Sequence, residues 1–180
     1  MEVIIIGAGT LSKLVIDILS FKKEFEIAGI YDDTYEKGAI VNGYAILGKT
    51  EDAFQSDMKN VIICIGNQKM KKEFHRKFVA CNFSFPNVIA HNAIISHNSV
   101  IGKGCIIGFY TTILFDTTIG EGTCILNHVS INHNTKINAF GLIGVGVLIG
   151  NDCIIEEGVH IAMGQTILPS TKISAWDYIH

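Results

Sequence analysis

The stretch Ile125-Leu-Asn-His-Val-Ser-Ile131-Asn-His-Asn-Thr-Lys-Ile137-Asn-Ala-Phe-Gly-Leu-Ile143 carries isoleucine at every sixth position, and the pattern runs from Ile89 to Ile179 without an insertion. A helix repeats at 3.6 residues and a strand at 2.0, so neither produces an unbroken period of six. Such a period marks a stack of small repeated units. Each hexad then forms one flat face of a triangular prism, and its isoleucine fills the interior. Three hexads close one coil, so the span makes about five coils. Two positions before each isoleucine the residue is usually small or β-branched, as in Ser99, Cys105, Thr111, Thr117, Thr123, Val129, Thr135, Gly141 and Val147, where the corner leaves little room. Glycine and asparagine, which tolerate positive φ, gather beside the turns at Gly102, Gly104, Gly108, Gly120, Gly122, Asn132, Asn134, Asn138, Gly144, Gly146 and Gly150. The expected fold of residues 86–180 is a left-handed parallel β-helix, its hand taken from the known hexapeptide-repeat class.

Before Pro86 the periodicity is different. Val3–Ile6 is a short apolar run, followed by Gly7-Ala8-Gly9 and by Leu11, Leu14, Val15, Ile18 and Leu19 at helical spacing. A second strand is expected over Glu26–Tyr31, closed by Asp32-Asp33. A third covers Val61–Ile65 and ends at Gly66-Asn67, and a basic amphipathic helix follows over Lys69–Val79. Strands alternating with helices predict a small Rossmann-like parallel sheet over residues 1–85. The chain is therefore α/β plus all-β, in two domains.

Composition excludes several classes. The chain of 180 residues is 48% hydrophobic and 17% charged, with a formal net charge of −3. That balance offers no electrostatic footprint for nucleic acid. No run is long enough for a membrane span, and Met1 leads straight into a strand with no basic leader, so a cytoplasmic protein is expected. The odd number of cysteines, Cys64, Cys81, Cys105, Cys124 and Cys153, without a CxxC, reads as small buried hydrophobes rather than disulfides or a thiolate metal site. A thin prism gains stability by association. The apolar residues Phe109, Tyr110, Leu114, Phe115, Phe140, Leu142 and Leu148 are expected to face outward and cover a subunit interface, most simply in a homotrimer.

Four features together resemble the bacterial sugar acetyltransferases of the PglD/NeuD type: Ile5-Ile6-Gly7-Ala8-Gly9, Tyr31-Asp32-Asp33, Ile65-Gly66-Asn67-Gln68 before a basic helix, and Ile131-Asn132-His133-Asn134. The resemblance covers nearly the whole chain. It implies a homotrimeric enzyme that acetylates a nucleotide-activated sugar, with acetyl-CoA as cosubstrate and no metal, in surface-glycan biosynthesis. It assigns His133 as general base, suited to that task by a pKa near working pH, with Asn134 beside it. It places the nucleotide sugar against Gly7, Gly9, Thr10, Asp32, Asp33, Gly66 and Asn67, where backbone amides after a strand can bind phosphate and an acid can meet ribose or base. It places the acyl donor against Leu142, Gly150, Asn151, Met163 and Gly164.

The sequence also departs from that family. Asn134 stands where members carry Asp or Glu, Leu142 where they carry a second histidine, and Thr10-Leu11 where Gly-Gly-His is usual; the chain ends at His180, about a coil early. A binding or scaffold protein that has lost turnover is thus a second expectation. A third comes from His128 and His133, a pair similar to the metal ligands of γ-class carbonic anhydrases, although the matching third position is Asn92. The competing reading of His133 itself is a solvated corner residue.

Overall fold

Each strand of the second half is two residues long and ends on an isoleucine of the six-residue ladder, from Val88–Ile89 to Tyr178–Ile179. Successive strands lie on different faces, and each pairs in parallel with the strand one coil away. Ile113 is thus opposite Ile131, and Ile131 opposite Ile149. The result is three parallel sheets, two of five strands and one of six, wound as the left-handed parallel β-helix that the period predicts. The computed structural model describes residues 1–180, and the chain divides into two units, Met1–Pro86 and Asn87–His180.

The ladder isoleucines form the core of the second unit. Ile107 to Ile173 are all buried, with Cys105, Val129, Val147, Cys153 and Val159 filling the corners between them. The preceding residue of each strand faces the other way: Ile94 is 65% exposed and Ile154 40%. The small residue two before the isoleucine does more than fit. The Thr111, Thr117, Thr123 and Thr135 hydroxyls donate to the carbonyls of Leu126, Asn132, Asn138 and Gly150, at 2.9–3.2 Å. A buried hydroxyl is tolerated because it satisfies a corner carbonyl. Cys153 takes the same place, its thiol 3.2 Å from the Leu168 carbonyl. The cysteines are free thiols, four buried and Cys81 half-buried.

The turns separate two demands that the sequence merges. The residue three before each isoleucine is left-handed at every corner from Gly104 to Trp176, whether glycine, Asn134, Asp152 or a bulky side chain. Gly102, Gly108, Gly120, Gly144 and Gly150 are not left-handed; there a Cβ would come within 2.9 Å of backbone one coil on, so they serve close stacking. Phe140, expected on the outer surface, is instead buried. Its ring lies over Gly122, where a Cβ would come within 2.6 Å of it. Phe140 therefore belongs to the prism and leaves the proposed interface set. Tyr110, Phe115 and Leu148 are exposed, and Phe109, Leu114 and Leu142 are half-buried.

The first unit is a five-stranded sheet. Its strands are β1 (Glu2–Ile6), β2 (Glu26–Tyr31), β3 (Ile40–Val41), β4 (Tyr44–Gly48) and β5 (Val61–Ile63), in the order β3-β4-β2-β1-β5. The β1, β2, β4 and β5 pairings are parallel, but β3 runs antiparallel to β4, so the sheet is mixed rather than purely parallel. The cause is a hairpin at Asn42-Gly43, both at positive φ, a turn type that Asn-Gly favours. Helix α1 (Thr10–Ser20) buries Ser12, Val15, Ile18 and Leu19, and α2 (Gln68–Ala80) buries Lys71, His75 and Phe78. Phe78 packs with Phe54 and Phe83 at 4.5 and 4.8 Å between ring centres. The third strand is shorter than expected, because Cys64 and Ile65 already belong to the loop toward α2.

The inward and outward members of one strand should differ sharply on truncation. Ile155→Ala, which empties a fully buried site, is expected to lower unfolding free energy by about 2–5 kcal/mol, and Ile154→Ala by under about 1 kcal/mol. Urea denaturation of both variants measures this, and equal losses would refute the inward assignment.

Candidate functional site

His133 occupies a corner between two faces of the prism, immediately after the strand Ser130–Ile131. Its backbone is held from both sides: the carbonyl before it, of Asn132, accepts the Thr117 hydroxyl at 3.1 Å, and its own carbonyl accepts the Asp152 amide at 3.2 Å. Its ring stacks parallel on Phe115, one coil earlier, with centres 5.0 Å apart. The ring is half-buried, and Nδ1 is fully buried with no hydrogen-bond partner. The buried Nδ1 sets His133 apart from His128, whose ring is also stacked at its corner but exposed. Asn134, left-handed at φ 57°, donates its side-chain amide to Asp152 Oδ1 at 3.2 Å, and Asn151 donates to Asp152 Oδ2 at 2.5 Å. These bonds, first that from Asn151 and then that from Asn134, hold the Asp152 carboxyl below its ordinary pKa against a smaller opposing effect of desolvation; the charge of His133 lowers it further.

The donor residues expected from the sequence divide within one chain. Gly150 and Asn151 lie one coil from His133 at the same corner. Met163 and Gly164 lie at the corner across the face formed by Ser130–Ile131, Leu148–Ile149 and Thr166–Ile167, with Met163 73% exposed. Leu142 is on another face, paired directly with His160 of the next coil. Burial lowers the pKa of His160, and its ring meets Tyr178 edge-on at 4.5 Å. His128 stacks on Tyr110, 5.1 Å between centres, at the corner opposite to that of His133. No three His, Cys, Asp or Glu side chains of the chain come together as metal ligands would.

In the first unit, the loops after β1, β2 and β5 all lie at the carboxyl ends of adjacent parallel strands, the usual ligand crevice of such sheets. They are bound to one another. The Gly7 amide donates to the Tyr31 carbonyl at 2.8 Å, and the Ala8 amide to Asp32 Oδ2 at 2.8 Å. Gly7 is needed there: its φ is +95°, and a Cβ would come 2.9 Å from the Cys64 carbonyl oxygen. Asp32 also accepts the Thr34 amide, and Asp33 takes the amide and hydroxyl of Thr50 at 2.8–3.0 Å. Asn67 caps α2 by accepting the Met70 amide, while the Gly66 carbonyl accepts from Gln68. Thus Asp32, Asp33 and Asn67, expected to meet a ligand, all hold backbone. The open donors are the amides of Gly9, Thr10 and Leu11 at the start of α1, a helix with no side-chain cap and no acid in its first turn. Two contributors were not expected from sequence: Asn42, whose amide reaches the Ala8 carbonyl and the Ser12 hydroxyl at 3.4 and 3.3 Å, and Asp152. The Asn42-Gly43 turn signal and the eighteen-residue offset from Asn134 were the signals available for them.

Residues 2–78 match the PglD N-terminal domain family. This match bears out, for the first unit, the resemblance carried by Ile5–Gly9, Tyr31–Asp33 and Ile65–Gln68. Solved structures resemble the whole chain. A mutant of perosamine N-acetyltransferase from Caulobacter crescentus with one histidine changed to asparagine, in complex with CoA and GDP-perosamine, superposes with a TM-score of 0.76 at 23% identity, over 100% of this chain and 89% of that one. The acetyltransferase domain of PglB from Neisseria gonorrhoeae FA1090, in complex with acetyl coenzyme A, gives 0.80 at 20% identity, over 99% and 92%. WeeI from Acinetobacter baumannii AYE gives 0.73 at 18% identity, over 96% of each chain. At these identities the likeness establishes the shared fold. A comparison with curated protein sequences finds no match. No helix is long and apolar enough to cross a membrane.

The role of Asp32 is testable without a ligand. Asp32→Ala removes the acceptor of the Ala8 amide, a charge-assisted bond, and hydrogen exchange at Ala8 is expected to accelerate roughly tenfold or more. Unchanged protection of Ala8 would refute the bracing role.

Proposed function

We propose that this protein is an acetyl-CoA-dependent acetyltransferase acting on a nucleotide-activated amino sugar, with His133 as general base. The observation that carries the reading is the setting of His133. Its ring is fixed on Phe115 and its Nδ1 is buried, on a fold shared with enzymes solved with CoA or acetyl coenzyme A and with GDP-perosamine. That a structure of perosamine N-acetyltransferase carries a histidine mutation points the same way.

In this reading the sugar amine attacks the thioester carbonyl directly. A C–N bond forms and the C–S bond breaks, His133 Nε2 accepts the amine proton, and the departing sulfur takes up a proton to leave as free CoA thiol. A fixed ring contributes orientation, and proton transfer by a positioned histidine accounts for about 10²–10⁴-fold in rate. The open amides of Gly9, Thr10 and Leu11 are the donors for the phosphates of the nucleotide. Gly150 and Asn151 are the donor-side residues nearest His133; Met163 and Gly164, at another corner, contribute to the same groove only from a neighbouring prism, so the reading includes a homotrimer. Its setting is the cytoplasm and its pathway surface-glycan synthesis. Asn134, in place of an acid, favours as second reading a homologue that binds these ligands and turns over slowly.

Thiol release from acetyl-CoA, assayed with UDP-, dTDP- and GDP-linked amino sugars, is the test. At least one acceptor is expected to support release, and His133→Ala to lower kcat/KM by about 10²–10⁴-fold with an unchanged melting temperature. Acceptor binding seen as a thermal shift without turnover would replace the transferase reading by the binding one.

A further inference from the structure

We propose that Asp152 is a positioning residue of the His133 site, supplying from the next coil the negative charge that the position after the histidine lacks. The inference rests on His133 acting as the base. When His133 accepts a proton, a positive charge appears on a ring whose Nδ1 is buried and has no acceptor. No neighbouring group takes that charge by a direct hydrogen bond, so its stabilisation falls to a charge held nearby. Asn134, adjacent in sequence, is neutral, but its side chain is directed at a carboxylate: its amide donates to Asp152 Oδ1, and the Asn151 amide donates to Oδ2. Both oxygens are clamped and the carboxylate has little freedom to turn away.

Asp152 is also tied to His133 itself, because its backbone amide donates to the His133 carbonyl at 3.2 Å. Its left-handed backbone, φ 57°, accounts for an Asp or Asn at this place but not for two side-chain amides converging on it. The opposite neighbour in the column, Asp116, is one coil before Asn134 and equally exposed and left-handed, yet Asn134 donates to Asp152 instead. The pKa of the Asp152 carboxyl responds to the charge of His133.

Because Asp152 is at the surface, the effect is modest and salt-sensitive. Asp152→Asn is expected to lower kcat by roughly twofold to fivefold with KM for acetyl-CoA and acceptor unchanged, and the gap from the unaltered protein should close near 1 M salt. Asp116→Asn should change neither constant. Adding Asn134→Asp to Asp152→Asn should restore kcat, since it returns the charge beside the histidine. A kcat for Asp152→Asn equal to that of the unaltered protein, an equal loss in Asp116→Asn, or no recovery in the double variant would overturn the proposal. Should no acceptor support thiol release at all, the transferase reading fails separately. The coupling is then decided by ¹³C NMR titration of the Asp152 carboxyl: its midpoint should rise in His133→Asn, and an unmoved midpoint would overturn the proposal.

Discussion

The hydrogen-bond ladder between successive coils is the constraint on which the second unit depends. Backbone amides in and just after each strand donate to carbonyls in the next coil, as Ser130 does to Val147 and Asn132 to Ile149. The ladder admits no slip, because a shift of one residue would turn every isoleucine out of the prism. A strict register has a consequence for chemistry as well as for packing. Residues eighteen apart are in contact, whereas residues six apart lie on different faces. A site on such a scaffold is therefore assembled down a column, and Phe115, His133 and Asn151 form one such column beside Asp116, Asn134 and Asp152.

The corners show how the register is maintained with very different side chains. A left-handed backbone costs a non-glycine residue about 1–2 kcal/mol, less for Asn and Asp. At His133's corner the cost is kept low by Asp116, Asn134 and Asp152, and the residues that tolerate the turn are also those able to hold charge and donate hydrogen bonds there. Phe140 has no such tolerance. Its side chain is 3% exposed, and full burial of a phenylalanine contributes about 1.5–3 kcal/mol, enough to offset the strain. Burial requires room, which Gly122 provides by having no Cβ under the ring. Trp176 over Gly158 repeats the arrangement at the last coil. Tyr110 and His128 are exposed and stacked; a pairing of that kind contributes about 0.5–1.5 kcal/mol, which offsets only part of the cost of two left-handed residues.

This division explains what could be read from sequence. The six-residue period was legible because it comes from burial, which acts on every coil alike. His133 was singled out by resemblance, since the Ile131–Asn134 segment lies along the chain. Phe140 was misread as an outward residue, for its place in the hexad is a turn and only the glycine one coil earlier turns it into core. Asp152 was not read, because the Asn134 side chain it pairs with is a full coil away along the chain. In the first unit the strands at Val3, Glu26 and Val61 followed from apolar runs, whereas the β3–β4 hairpin depended on the single Asn42-Gly43 signal between short strands.

The same separation between chain and space governs the glycine-rich loop. Its first amides, at Gly7 and Ala8, are consumed by Tyr31 and Asp32, and Asn42 braces the loop from the hairpin side. A loop held both from the end of β2 and from the hairpin loses little freedom when it meets a ligand, which lowers the ordering cost of binding. The amides left open are those of Gly9, Thr10 and Leu11, at the helix start where the backbone dipole favours an anion. In the proposed nucleotide site, an acid after β2 thus braces the phosphate end without touching the ligand. Asp32 and Asp152 are alike in this respect: each is a carboxylate whose hydrogen bonds fix a neighbour from a distant part of the chain.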